Sequence, residues 1–141
     1  MAAALDHVVL EVRDIEASLA FYTKVLGFEP VRVQAFRLGE APFPSVRVNG
    51  ESIVDLFPPR LWRNARRPSN PNHVCFTMPR REVAAFKRRL KRRQVPIERR
   101  AARNFGARGY GRAVDVNDPD GVRVEVRYYP DAVPETAPAA N

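Results

Sequence analysis

Asp6-His7-Val8-Val9-Leu10-Glu11-Val12 and, sixty-six residues on, Asn72-His73-Val74-Cys75-Phe76-Thr77-Met78 are two versions of one pattern. Each reads as a short strand with apolar residues in period two, mostly buried. Each carries one of the chain's two histidines at the same place. The segments behind the two strands decide whether this is coincidence or a repeat.

Behind the first strand, Asp14 is an N-cap residue type. Ala17, Leu19, Ala20, Phe21 and Leu26 then supply apolar positions for a helix, and Gly27 ends it as a C′ glycine. Residues 28–37 read as a second strand. Residues 45–48 and 52–57 read as two more, joined at Asn49-Gly50, a hairpin dipeptide. Residues 58–71 hold four prolines and the only Trp, and read as a linker. Behind the second histidine strand, residues 81–93 form a helix with Val83, Phe86 and Leu90 on one stripe. Residues 95–100 read as a strand. Residues 112–116 and 122–129 read as two further strands around Asn117-Asp118-Pro119-Asp120-Gly121, a strong turn signal.

The plan β-α-β-β-β therefore occurs twice, and such repeats govern the whole reading of a chain. The fold class is α+β, built from two βαβββ modules over about 5–57 and 72–129. Together with linker 58–71 they make one domain over residues 1–130, before a loose Pro/Ala-rich tail at 131–141. Within the closing hairpins, residues 45–49 align with residues 113–117. A turn two residues longer in the second copy then brings Asp55 opposite Glu125.

The composition narrows the class. A chain of 141 residues suits one domain and can bury a core without a disulfide or structural metal. No apolar run is long enough to cross a membrane. The opening MAAALDHVVLEV has no basic n-region, so no signal peptide is expected. The single Cys75 excludes an internal disulfide and fits a reducing, cytoplasmic setting. The net charge is +8, with 21 Arg against 3 Lys. Such a balance suits anionic partners, and a base-composition bias accounts for the same Arg skew on a solvated surface.

The repeat makes His7 equivalent to His73 and Asp55 equivalent to Glu125. Two imidazoles and two carboxylates form a hard-to-borderline donor set, suited to Fe, Mn, Zn, Ni or Co as divalent ions. Two His and one carboxylate leave positions open for substrate or water, as a catalytic metal needs. Taken one at a time, each of these residues is an ordinary strand residue. In Val122-Arg123-Val124-Glu125-Val126-Arg127 the valines share one face and Arg123, Glu125 and Arg127 the other, which by itself describes a solvated face.

Several stretches carry a family resemblance: residues 5–14, Ala20-Phe21-Tyr22-Thr23-Lys24-Val25-Leu26-Gly27-Phe28, residues 72–76, and Asp118-Pro119-Asp120-Gly121 with its trailing Glu125. Over roughly residues 5–129 the chain resembles the vicinal oxygen chelate superfamily. This group includes glyoxalase I, extradiol dioxygenases, methylmalonyl-CoA epimerase, fosfomycin-resistance enzymes and bleomycin-binding proteins. The resemblance implies a metal bound by His7, His73 and Glu125, and a homodimer that often shares its sites between chains. It implies a lyase, isomerase or transferase acting on a small, anionic substrate by stabilising an oxyanion. An extradiol ring-cleaving dioxygenase and a ligand-sequestering antibiotic-resistance protein are the alternatives.

Asp55 falls where glyoxalase I has a fourth, glutamate ligand, and Glu11 stands where it has a basic residue for glutathione. Glu11, by alternation, faces with His7 toward the site mouth. Asp55, Glu11 and Tyr128 are the candidates for moving protons. A catalytic tyrosine for the dioxygenase reading comes from Tyr110, Tyr128 or Tyr129. Arg123, Arg127, Arg108 and Tyr110 are the candidates for holding an anionic substrate. Cys75 reads as a small buried hydrophobe. Nucleic acid is not the expected partner of the basic segment 80–103, because Arg88, Arg89, Arg92 and Arg93 scatter around the helix and aromatic residues are not interleaved.

Overall fold

The computed structural model describes residues 2–130, so the tail at 131–141 lies outside the described residues. The chain divides into two compact units, one running to Pro71 and one from Asn72. Each unit is a mixed four-stranded sheet with helices, giving two βαβββ modules in a glyoxalase-like fold. Among the described residues, no helix is long and apolar enough to cross a membrane.

In the first unit the order is β1-β4-β3-β2, with β1 His7–Glu11, β2 Glu29–Val31, β3 Ser45–Arg47 and β4 Ile53–Phe57. β1 runs parallel to β4, and the other pairs are antiparallel. Asp14 caps α1 (Ile15–Ala20) as expected, accepting from the Ala17 N–H at 3.1 Å. α1 then widens into one π-helical turn, Phe21–Val25. The Leu26 N–H reaches back to the Phe21 carbonyl at 3.1 Å, and Gly27 takes φ +85° to end the run. Leu10, Val12, Leu19, Tyr22, Val46, Val54 and Leu56 are the buried centre of this unit.

Residues 28–37 are not one strand. β2 stops at Val31 and α2 occupies Val33–Arg37, with Arg32 between them in the left-handed region at φ +56°. The Val31, Val33, Ala35 alternation mimics a strand, but the turn at Arg32 breaks it. At Asn49-Gly50 the turn is wider than a two-residue hairpin. Val48 N–H bonds Ser52 O, and the Asn49 carboxamide oxygen accepts from the N–H groups of Glu51 and Ser52.

The second unit repeats the order as β5-β8-β7-β6, with β5 His73–Thr77, β6 Arg99–Gly106, β7 Gly109–Asn117 and β8 Arg123–Tyr128. α3 (Arg80–Arg92) buries Val83, Phe86 and Leu90, the stripe read from the sequence. Residues 95–100 are largely a connection. Gln94 at φ +56° and then Pro96 delay the strand until Arg99. The Asp118 turn forms as expected: its side chain accepts from the Asp120 and Val122 N–H groups, both at 2.9 Å, and Gly121 takes φ +81°.

The ladders correct the hairpin alignment. Ser45 faces Asp55, while Asp115 faces Glu125. The two hairpins are therefore equal in length, and Ser45 corresponds to Asp115, not to Ala113. The pairing of Asp55 with Glu125 stands without a longer turn.

Candidate functional site

The parallel ladders place the histidines. His7 stands beside Ile53 and Val9 beside Asp55; His73 stands beside Arg123 and Cys75 beside Glu125. In both units the histidine is two residues ahead of the one opposite the carboxylate. Side chains two apart on a strand share a face, so each histidine leans toward its carboxylate. His7 Nε2 lies 4.0 Å from Asp55 Oδ2, and His73 Nε2 lies 3.9 Å from Glu125 Oε2. The other ring nitrogen is held by the preceding residue in each case. His7 Nδ1 is 2.6 Å from Asp6 Oδ1, and His73 Nδ1 is 2.8 Å from Asn72 Oδ1. The Asp6 bond, with the Asp55 charge, raises His7 above its ordinary pKa.

The two carboxylates are both buried but held differently. Asp55 accepts from the Ser45 hydroxyl at 2.6 Å. Glu125 Oε1 accepts from Arg127 Nε at 3.0 Å, Arg127 Nη2 at 2.5 Å and Asn104 Nδ2 at 3.2 Å. Burial pushes Glu125 up, but the Arg127 bond and charge and the Asn104 bond outweigh it and hold the group below the usual range. Oε2 stays turned to His73.

Arg127 is not available to a substrate, contrary to expectation. Besides Glu125 it donates to the carbonyls of Phe105 (3.0 Å) and Asn104 (3.4 Å), and its Nη1 lies 3.4 Å from the Tyr129 hydroxyl. Its guanidinium lies under Gly106, where an added Cβ would come within 1.7 Å of Nη1. Arg127 thus ties the β6–β7 hairpin to Glu125, and glycine at 106 makes the room.

A pocket of about 570 Å³ opens over this face of the second sheet. His73, Cys75 and Glu125 lie on its floor, with Arg108, Arg123 and Tyr129 around them. The Arg108 guanidinium stacks 4.5 Å above the Tyr129 ring, and its backbone N–H donates to the Tyr129 hydroxyl at 3.2 Å. Arg108 and Arg123 thus line the same pocket as His73 and Glu125.

Other expectations change. Tyr128 faces the opposite side of the sheet, toward α3, with Arg80 over its ring at 5.8 Å. Tyr129 takes the pocket position instead, and alternation from Glu125 was the signal for it. Tyr110 is outside the pocket lining. It packs on Phe105 at 5.6 Å with the Arg103 guanidinium 3.5 Å over its ring. Cys75 is exposed to the pocket, not a buried hydrophobe. Desolvation at the pocket wall and then the Glu125 charge raise its thiol to about 11, so it stays protonated at neutral pH.

Glu11 is 3% exposed and does not serve a site mouth. Its oxygens accept from the Arg63 N–H at 2.7 Å and from the Ser69 N–H, while Asn70 bonds both backbone groups of Glu11 at 2.9 Å. It pins the 58–71 segment to β1. With both oxygens engaged by backbone, it has no proton-transfer role.

Asp115 was missed by the sequence. It is 1% exposed and lines the pocket wall beside Glu125; Arg99 Nε holds one oxygen at 3.2 Å, and the other has no hydrogen-bond partner among the described residues. Burial, with the Glu125 charge added, raises its pKa against the pull of Arg99.

Each His–carboxylate pair consists of donor types that a divalent ion takes. The Nε2–oxygen separations are too long for hydrogen bonds. Two ligand bonds of about 2.0–2.2 Å each span such a distance only at a wide angle, so binding an ion would draw each pair closer together. Each Nδ1 is held by a neighbouring oxygen, which fixes the ring and points Nε2 outward as metal-binding histidines require. Among the described residues, no three His, Cys, Asp or Glu side chains gather in one group. Each unit by itself offers two donors.

The sequence profile of the Glyoxalase/Bleomycin resistance protein/Dioxygenase superfamily matches residues 4–126, and the chain belongs to that superfamily. A relative from Salmonella typhimurium, named virulence protein STM3117, is 29% identical over 130 residues, covering 89% of this chain and 83% of the relative. The crystal structure of that protein superposes with a TM-score of 0.73 at 23% identity over 92% of this chain and 99% of its own. A lactoylglutathione lyase from Agrobacterium tumefaciens superposes with a TM-score of 0.64 at 25% identity, over 91% of this chain and 94% of the lyase.

Proposed function

We propose that the protein is a metal-dependent enzyme of this superfamily acting on a small anionic molecule. His73 and Glu125 hold one divalent ion, with His7 as the third ligand. We take the active form to be a homodimer, as the family resemblance implies. The reading is carried by one observation: both units present a histidine, oriented by its preceding residue, with Nε2 toward a buried carboxylate at about 4 Å.

When bound, the ion supplies Lewis acidity toward an oxygen of the substrate. The chain's own residues do the rest. Arg108 and Arg123 bind the anionic end of the substrate through their planar forks. Arg127 and Asn104 saturate Oε1 of Glu125 and so leave Oε2 as the donor. Asp55, with one oxygen held by Ser45, has Oδ2 free to take or return a proton. Phe105 adds an apolar side chain to the pocket lining. Lyase, isomerase and transferase chemistry all fit these parts.

A second reading rests on the Arg127–Glu125 bond. A carboxylate already neutralised by a buried guanidinium suits a metal-free protein that sequesters an anionic ligand. An extradiol-type reaction needs an acid–base group in the pocket, and there Tyr129 is the candidate in place of Tyr128.

Metal content separates the first two. Elemental analysis of the purified chain is expected to find a divalent ion that the His7→Ala, Glu125→Ala double variant lacks. If the wild type carries no more metal than the variant, the sequestering reading replaces the enzyme. Iron as the resident metal would favour oxygenation over isomerase or transferase chemistry.

A further inference from the structure

The other face of the second sheet is covered by α3, and beside that contact lies a separate crevice of about 190 Å³. Lys87, Arg100 and Arg112 line it together with Val83, Val114 and Tyr128, and no carboxylate does. The register explains why the cations meet. Arg100 pairs with Val114 and Arg112 with Tyr128, so both arginines point to the α3 side. Lys87 stands one helical turn after Val83 and overhangs them. Among the described residues, none of the three belongs to an ion pair.

α3 extends this charge. At about 100° per residue, Arg80, Arg81, Lys87, Arg88, Lys91 and Arg92 fall in one sector roughly 140° wide, along about 18 Å of helix. Only Ala84 shares the sector. Arg89 and Glu82 lie outside it. The scatter read from Arg88, Arg89, Arg92 and Arg93 thus hides a continuous basic face. At Arg89, outside the sector, burial lowers the pKa most; Glu82 opposes this, and the Arg92 and Arg88 charges add to the lowering.

We propose that the crevice and this face of α3 bind the phosphodiester backbone of duplex nucleic acid without reading its sequence. Arginine forks and lysine ammoniums in a row are a phosphate-binding set. The crevice takes one phosphate and the helix row takes its neighbours. A lipid surface fits less well, because the sector has no large apolar side chain to insert. An acidic protein partner would call for a buried aromatic anchor, which the sector lacks. Single strands would call for stacking platforms, and the one ring in the crevice, Tyr128, already has Arg80 over it.

The test is fluorescence anisotropy of a labelled random-sequence DNA duplex titrated with the full chain between about 50 and 200 mM salt. The affinity is expected to fall log-linearly with salt, by about 0.9 per phosphate neutralised. The Lys87→Gln, Arg112→Gln double variant should flatten that slope by about 2, and Lys87→Arg should restore its share. The Lys24→Gln, Arg66→Gln pair removes the same charge from exposed positions of the first unit and should leave the slope unchanged. Far-ultraviolet circular dichroism of each variant confirms the fold. The proposal is overturned by absence of salt-dependent binding, by an unchanged slope in the crevice variant, or by an equal loss in the control pair. Displacement of the duplex by a nucleoside triphosphate at equal phosphate concentration also overturns it, because a small phosphate ligand would then suffice.

Discussion

The two units share a frame and use it differently. In the first, the carboxylate beside the histidine is steadied by a neutral hydroxyl, Ser45 on Asp55. In the second, it is steadied by a buried cation, Arg127 on Glu125, and the position equivalent to Ser45 is a second acid, Asp115. The first unit is nearly neutral, with nine Lys and Arg against eight Asp and Glu, whereas the second has fifteen against eight. The first spends its remaining buried acid, Glu11, on holding a loop. The second opens a pocket on one sheet face and a basic surface on the other. The repeated frame carries matched donors, and their surroundings differ between the two copies.

Removing each carboxylate should expose that difference most strongly. Glu125→Ala leaves the Arg127 guanidinium buried without its anion, a loss of about 3–5 kcal/mol. Asp55→Ala strands only the Ser45 hydroxyl, about 1–3 kcal/mol. Denaturant unfolding of the two variants checks the order, and equal losses would erase the contrast. Next in size, Gly106→Ala should push Arg127 off Glu125 and cost about 1–3 kcal/mol. A crystal structure of that variant should show the Arg127–Glu125 contact broken. Glu11→Ala should open the 58–71 segment, at a cost of about 1–3 kcal/mol. Faster proteolysis within 58–71, with the second unit unaffected, is the measurement.

The smallest effect concerns Asp115. Its folded pKa is raised above the unfolded value, so its contribution to stability is fully present below the unfolded pKa. That contribution is lost as pH rises through the folded pKa. Asp115→Asn should therefore gain on the wild type as pH rises above the ordinary carboxylate range. Thermal midpoints measured across that range test the sign, and a gap that shrinks with rising pH would contradict it.

Much of this was legible in the sequence because it depends on period and repetition. The histidine equivalence needed only two matched strand patterns, while the Asp55–Glu125 pairing was reached through a longer turn that the ladders do not contain. The α3 stripe and the Asp118 turn needed only local chemistry. What the sequence hid depends on contacts made across the sheet. A single left-handed residue, Arg32, turned an apparent strand into a helix. The Ser45–Asp115 equivalence appeared only once the ladders fixed the hairpin lengths. Arg127 looked like a ligand for substrate because its partners, the Phe105 and Asn104 carbonyls, lie more than twenty residues away. Glu11 looked like a site residue because the chain that satisfies it is the linker, which carries no pattern. Tyr129 was within reach of alternation counted from Glu125, and preferring Tyr128 was a one-residue error of face.

If the histidines of both units serve one ion, neither can be lost without weakening its hold. Calorimetric titration of the metal-stripped protein with zinc or manganese puts this to the test. Both histidines are half-exposed, so His7→Gln and His73→Gln should remain folded. Each substitution alone is expected to weaken metal binding by at least about tenfold, given what loss of even an outer-shell partner costs. A His7→Gln variant that binds metal as tightly as the wild type would contradict the shared ion.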